Sequence, residues 1–130
     1  LGDVNRLQSQ QDEAENFYTQ AYDIYTRIGD EQGRENALRG LGDVYLLQCK
    51  YAEAEKSYNL SLDICTRTGH QLGRANTLRG LGQIYQKQGQ NSKAAEFYAE
   101  ASEIYRQIGR SQDAQITSSY SQAEGVEASS

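Results

Sequence analysis

The 130-residue chain has no proline, one histidine and two cysteines. Without proline no helix is kinked by a missing N–H, so helices can run long and turns must rest on glycine and capping side chains. The lone histidine, His70, stands in a turn between repeated blocks, where the other copies have Asp30 and Arg110. With no second imidazole and no activated thiol, a nucleophile, a base and an orienting group cannot be assembled, and the chain reads as non-enzymatic. The cysteines match no metal-ligand spacing. On a helical reading Cys49 and Cys65 lie about 20 Å apart at 1.5 Å per residue, too far for a disulfide. Free thiols fit a reducing, cytoplasmic setting. No stretch approaches the roughly 18 apolar residues of a membrane span, and no charged-then-apolar leader opens the chain, so no membrane partner is expected. Leu1 stands in mid-repeat, which points to a fragment or a processed product.

Charge narrows the field further. A net charge of −5 disfavours nucleic acid as a partner, since phosphate binding relies on clustered Lys and Arg. The glycines lie singly within helices and form no phosphate-cradling loop, and no cofactor or metal is expected. Asn59-Leu60-Ser61 matches a glycosylation sequon, but in mid-helix it carries little meaning. An apolar content of 37% suffices for a core and is modest, as suits an elongated stack in which each unit buries surface only against its neighbours.

What is present is a repeat. LGDVNRLQ at Leu1, LGDVYLLQ at Leu41 and LGQIYQKQ at Leu81 recur every 40 residues. The register extends through Ala14, Ala54 and Ala94; Tyr18, Tyr58 and Tyr98; Ile24, Ile64 and Ile104; and Gly29, Gly69 and Gly109. Periods of this length build helical solenoids. Apolar residues fall at helical spacing along two stripes per repeat, for example Leu38, Leu41, Val44 and Tyr45, then Tyr51, Ala54, Tyr58, Leu62 and Cys65. First helices are expected over 31–48 and 71–88, second helices over 11–28, 51–68 and 91–108, with residues 1–8 as the end of a first helix.

Gly29, Gly69 and Gly109 fall where a left-handed residue closes a helix. Asp30, Ser111, and Asn91 or Ser92 are the expected N-caps. Gly2, Gly42 and Gly82 should pack against Ala14, Ala54 and Ala94. Residues 110–124 start as another first helix, with Ile116, Tyr120 and Ala123 apolar but Ser118 and Ser121 in place of leucine, as in a capping helix. Residues 125–130 read as a disordered tail. Of the ten tyrosines, Tyr45 and Tyr85 fall in the first-helix core column and Tyr18, Tyr58 and Tyr98 in the second, each with its hydroxyl at an edge. Tyr22, Tyr25 and Tyr105 are left to helix contacts or the outer face.

Leu-Gly-x-x-Tyr followed by Ala, Tyr and Ala or Ser at fixed offsets resembles the tetratricopeptide repeat. Leu81, Gly82, Tyr85, Ala94, Tyr98 and Ala101 carry the resemblance. So do Leu41, Gly42, Tyr45, Ala54, Tyr58 and Ser61, and Leu1, Gly2, Ala14, Tyr18 and Ala21, with Asn5 replacing the tyrosine. The resemblance covers residues 1–109 and implies an all-α, right-handed superhelix of antiparallel helix pairs, about seven helices in one solenoid domain over 1–124. Its repeats are 1–29, 30–69 and 70–109. The forty-residue period is longer than the usual ~34 and resembles Pins-type adaptors and the sensor arrays of STAND-class NTPases.

The resemblance also implies a concave face on the first helices that takes a peptide or partner helix. That face carries Asp3 and Arg6, then Asn36, Arg39, Gly40, Asp43 and Leu47, then Asn76, Arg79, Gly80, Gln83, Gln86 and Lys87. Asn and Arg recur three residues apart, giving amides for a peptide backbone and guanidinium groups for carboxylates, and Gly40 and Gly80 should leave room for a ligand side chain. Arg39 has Glu35 and Asp43 one turn away and can equally form surface ion pairs. Arg79 has Ala75 and Gln83 instead. The carboxylate clamp of co-chaperones is disfavoured, because its places hold Arg39, Asp43 and Gly80. Two other readings stand beside the groove: head-to-tail self-association through the stack ends, and a sensor segment of a larger signalling NTPase.

Overall fold

The computed structural model describes residues 2–109 and 117–118, with side chains from residue 6 onward. All regular structure among these residues is α-helical: α1 (Gly2–Ile28), α2 (Glu31–Leu47), α3 (Tyr51–Thr68), α4 (Gln71–Lys87) and α5 (Asn91–Gln107). Five helices stand where seven were expected, for two reasons. The segments 1–8 and 11–28 run together as α1. The expected capping helix 110–124 and the tail 125–130 lie outside the described residues, apart from helical Thr117 and Ser118.

The fusion of α1 has a local cause. The turn that separates first from second helix uses a left-handed residue, Cys49 at φ 59° in the second copy and Gly89 at φ 77° in the third. The first copy has Ser9 there, whose Cβ, like that of Cys49, would meet a cost of about 1–2 kcal/mol in that conformation. Little burial would reward the turn, since Leu7 is exposed, so the chain keeps its helical hydrogen bonds.

The turns between helices share one device. Gly29 and Gly69 adopt φ 74°, and the following amide reaches back to the last turn: Asp30 N–H to Tyr25 O at 2.9 Å and His70 N–H to Cys65 O at 3.0 Å. Gln90 N–H to Tyr85 O at 2.9 Å and Lys50 N–H to Tyr45 O at 2.8 Å close the turns at Gly89 and Cys49 in the same way. These bonds satisfy carbonyls that a helix end leaves orphaned. Asp30 caps α2, its side chain accepting from Gly33 N–H at 2.9 Å. The N-cap of α5 is Gln90, one residue before the expected Asn91 or Ser92, and it makes no side-chain capping bond. Ser111 lies outside the described residues.

The described residues group into two compact units, Leu1–Ile64 and Cys65–Ser130. In the first, α1 packs antiparallel on α2 through rings laid on glycines. A Cβ at Gly33 would lie 2.4 Å from the Tyr25 ring, and one at Gly40 would lie 2.4 Å from the Tyr18 ring. Gly42 faces Tyr58 of α3 in the same manner. In the second unit Gly82 of α4 faces Tyr98 of α5. These glycines therefore serve aromatic rings as their nearest neighbours, where Ala54 and Ala94 were expected. Those alanines are buried too. The space beside Gly40, expected to admit a ligand side chain, is filled by Tyr18.

Tyr85 stacks on Phe97 with ring centroids 5.4 Å apart, and together with Ala94 and Tyr98 they form an apolar cluster between α4 and α5. Lys93 lies 4.4 Å over the Tyr85 ring. Arg74 and Glu100 add an ion pair at 3.3 Å across the same helix pair.

Candidate functional site

The candidate residues fall on two helices, α2 in the first unit and α4 in the second. Their separate surroundings decide what each can do. On α2, Asn36 and Asp43 are exposed and Arg39 is half-buried. The guanidinium of Arg39 donates to Glu35 Oε1 at 2.7 Å and to Asn36 Oδ1 at 3.1 Å. Glu35 is only 1% exposed, and Ser61 Oγ donates to the same carboxylate oxygen at 3.1 Å. Arg39 is thus the counter-charge of a buried acid and not a surface ion pair of small worth. A carboxylate held away from water needs such partners. Asp43 accepts a hydrogen bond from the Tyr58 hydroxyl. Leu47 is exposed, and on α1 Arg6 is exposed while Asp3 lies outside the described side chains.

The buried acid had a readable signal. Glu35 stands in the column of Ala75, and Ser61 in the column of Ala21 and Ala101. Two polar exceptions to alanine in one repeat mark a hydrogen-bonded pair.

On α4, Asn76, Arg79 and Gln83 are half-buried, and Gln86 and Lys87 are exposed. At 100° per residue these five positions occupy a stripe roughly 100° wide. Tyr105 is completely buried, and its hydroxyl donates to Asn76 Oδ1. The Tyr98 hydroxyl donates to Gln86 Oε1 at 2.6 Å. The guanidinium carbon of Arg79 sits 5.8 Å from the centroid of the Tyr105 ring. At that distance the cation is attracted by the ring's negative face. Tyr105, unassigned from sequence, is therefore the support under two of the candidate residues. Its equivalent in the second copy is Cys65, which offers no hydroxyl.

Elsewhere, a hollow of about 390 Å³ between α1 and the end of α2 is lined by Leu7, Gln8, Gln11, Asp12, Gln48 and Lys50. No helix among the described residues is long and apolar enough to cross a membrane.

A family profile described as tetratricopeptide repeat matches residues 33–107, from within α2 to the last residue of α5. A search of curated proteins gives no significant match. The profile leaves α1 aside, so the first copy rests on the internal register of Ala14, Tyr18 and Ala21. The matched span exceeds half of the chain and falls on the helices whose glycine–tyrosine packing carries the repeat. The chain belongs to the tetratricopeptide repeat family, a class of protein–protein interaction scaffold.

Proposed function

We propose that the chain is a non-catalytic scaffold that binds a peptide or partner helix on the face made by its first helices, using Asn36, Arg39, Asp43, Asn76, Arg79, Gln83, Gln86 and Lys87. The supporting observation is the α4 stripe, where five polar side chains stay at least partly exposed beside a packed aromatic core. The set is unequal. Arg39 and Asp43 already serve Glu35 and Tyr58 inside the fold, so binding energy concentrates on α4.

The test follows from that division. Replacing Asn76 also removes the partner of the Tyr105 hydroxyl, so Arg79→Ala with Lys87→Ala is the cleaner probe. In a pull-down against wild type, the double variant loses its partner while its circular dichroism stays unchanged. Equal recovery by both proteins defeats the groove reading.

A second reading, self-association, is favoured by α1. Phe17, Ile24 and Ile28 are 66%, 53% and 67% exposed, whereas Ile104, the counterpart of Ile24, is 5% exposed. A second copy covering this stripe predicts concentration-dependent sedimentation that Ile24→Asp with Ile28→Asp abolishes. A monomer at every concentration contradicts it.

A further inference from the structure

We infer that α1 pairs with α1 of a second copy in one antiparallel register, giving a closed two-fold dimer; this rests on the self-association reading and names its geometry. The pattern along the helix is the first observation. Gln10, Ala14, Phe17, Ala21, Ile24 and Ile28 follow the alternating four- and three-residue steps of a heptad seam. None of the six is buried, and Phe17, Ile24 and Ile28 stand well out into solvent. Tyr18 and Tyr25 lie about 100° and 80° round the helix from Phe17, and their rings rest on Gly40 and Gly33 of α2. The seam and the α2 contact therefore occupy different sides of α1.

Size alternation along the seam is the second observation. In an antiparallel pair with Phe17 level with the partner's Ala21, Ile24 comes level with the partner's Ala14, and by symmetry each contact is made twice. A large side chain then meets a small one in every one of these layers, as close packing requires. An open hollow of about 250 Å³ already lies over this stretch, lined by Phe17, Gln20, Ala21, Ile24 and Tyr25. It receives the partner's Phe17.

Charge selects the same register. On the side of the seam away from α2 stand Glu13, Gln20 and Arg27, one heptad apart and all exposed. Positions flanking a seam on one side face the same side of an antiparallel partner. In the register set by Phe17 and Ala21, Arg27 faces the partner's Glu13, and Gln20 faces the partner's Gln20 beside the two-fold axis. Two ion pairs thus flank an amide pair. Sliding one helix by a heptad sets Arg27 against the partner's Gln20 in one direction and the partner's Arg6 in the other, and both ion pairs are lost. A parallel pair sets Ala21 on the partner's Ala21, which leaves a gap, and keeps Arg27 far from the partner's Glu13. Both copies use one self-complementary patch, so association stops at two and cannot propagate head to tail.

Sedimentation velocity of the whole chain, at concentrations up to about 1 mM, tests this. Wild type is expected to pass from monomer to dimer and no further. Glu13→Arg and Arg27→Glu each set like charges together at both contacts and raise the dissociation constant about tenfold. The double variant, and an equimolar mixture of the two single variants, restore opposite charges and recover the dimer. Both positions are exposed, so circular dichroism of every variant matches wild type.

A dimer that is indifferent to both single substitutions, yet lost in Ile24→Asp with Ile28→Asp, overturns the register and leaves self-association standing. Species larger than a dimer overturn the two-fold pairing in favour of head-to-tail contact. A monomer at every concentration overturns both.

Discussion

The two arginines at equivalent places in successive repeats illustrate how far a shared column can diverge in role. Arg39 neutralises Glu35, which is 1% exposed and also bonded by Ser61. Removing one partner of a buried ion pair leaves a charge away from water. Arg39→Ala is therefore expected to destabilise the fold by about 3 kcal/mol, as read by urea unfolding. Arg79→Ala forfeits a half-buried cation–π contact to Tyr105 and should cost about 1 kcal/mol. Equal losses at both positions would remove the distinction.

Tyr45 offers a pH test at the same scale. Burial, and then the Glu15 carboxylate beside its hydroxyl, push its pKa above the usual tyrosine value, with Glu53 adding to the effect. Because the folded pKa is raised, the stabilisation is fully present below pH 10 and is lost as pH climbs through the raised value. The stability advantage of wild type over Tyr45→Phe should thus be steady from pH 7 to 9 and shrink above pH 10. An advantage that grows in alkali would contradict this assignment.

At the scale of elements, much was legible and the reasons are local. Glycine at fixed intervals placed the turns, and the expected spans 31–48, 51–68, 71–88 and 91–108 lie within one residue of α2 to α5. The continuity of α1 through Ser9 was not legible from the register, because the repeat predicts a turn without saying whether burial repays its left-handed residue. Nor was the partner of each in-helix glycine, since a column of aligned positions does not say which way a tyrosine ring leans. The rings lean onto glycine: Gly33 takes Tyr25 and Gly40 takes Tyr18, with 2.4 Å left for a Cβ. Overpacking of this kind costs about 1–3 kcal/mol, so Gly33→Ala and Gly40→Ala should each lower the urea midpoint. Gly82→Ala, with 2.9 Å to Tyr98, should lower it less. At the turns, Gly89→Ala should cost about 1 kcal/mol by forcing a Cβ into a left-handed conformation.

For the whole molecule, repetition supplies the scaffold, and departures from it, such as Glu35 with Ser61, change what a shared column does. Alignment alone singled out the α4 stripe, because Asn76 and Arg79 repeat Asn36 and Arg39 without serving the Leu-Gly packing code, and Gln83, Gln86 and Lys87 continue the same face. It did not find that Tyr105 and Tyr98 hold the amide oxygens, since that depends on how α5 packs against α4. The most direct measurement is amide chemical-shift mapping of the isotope-labelled chain titrated with the partner that wild type recovers in the pull-down. The largest shifts are predicted at Asn76, Arg79, Gln83 and Lys87, with saturation and with loss at high salt. Shifts confined to α1 or to the outer side of α5, with α4 unmoved, would contradict the central claim that α4 is the binding face.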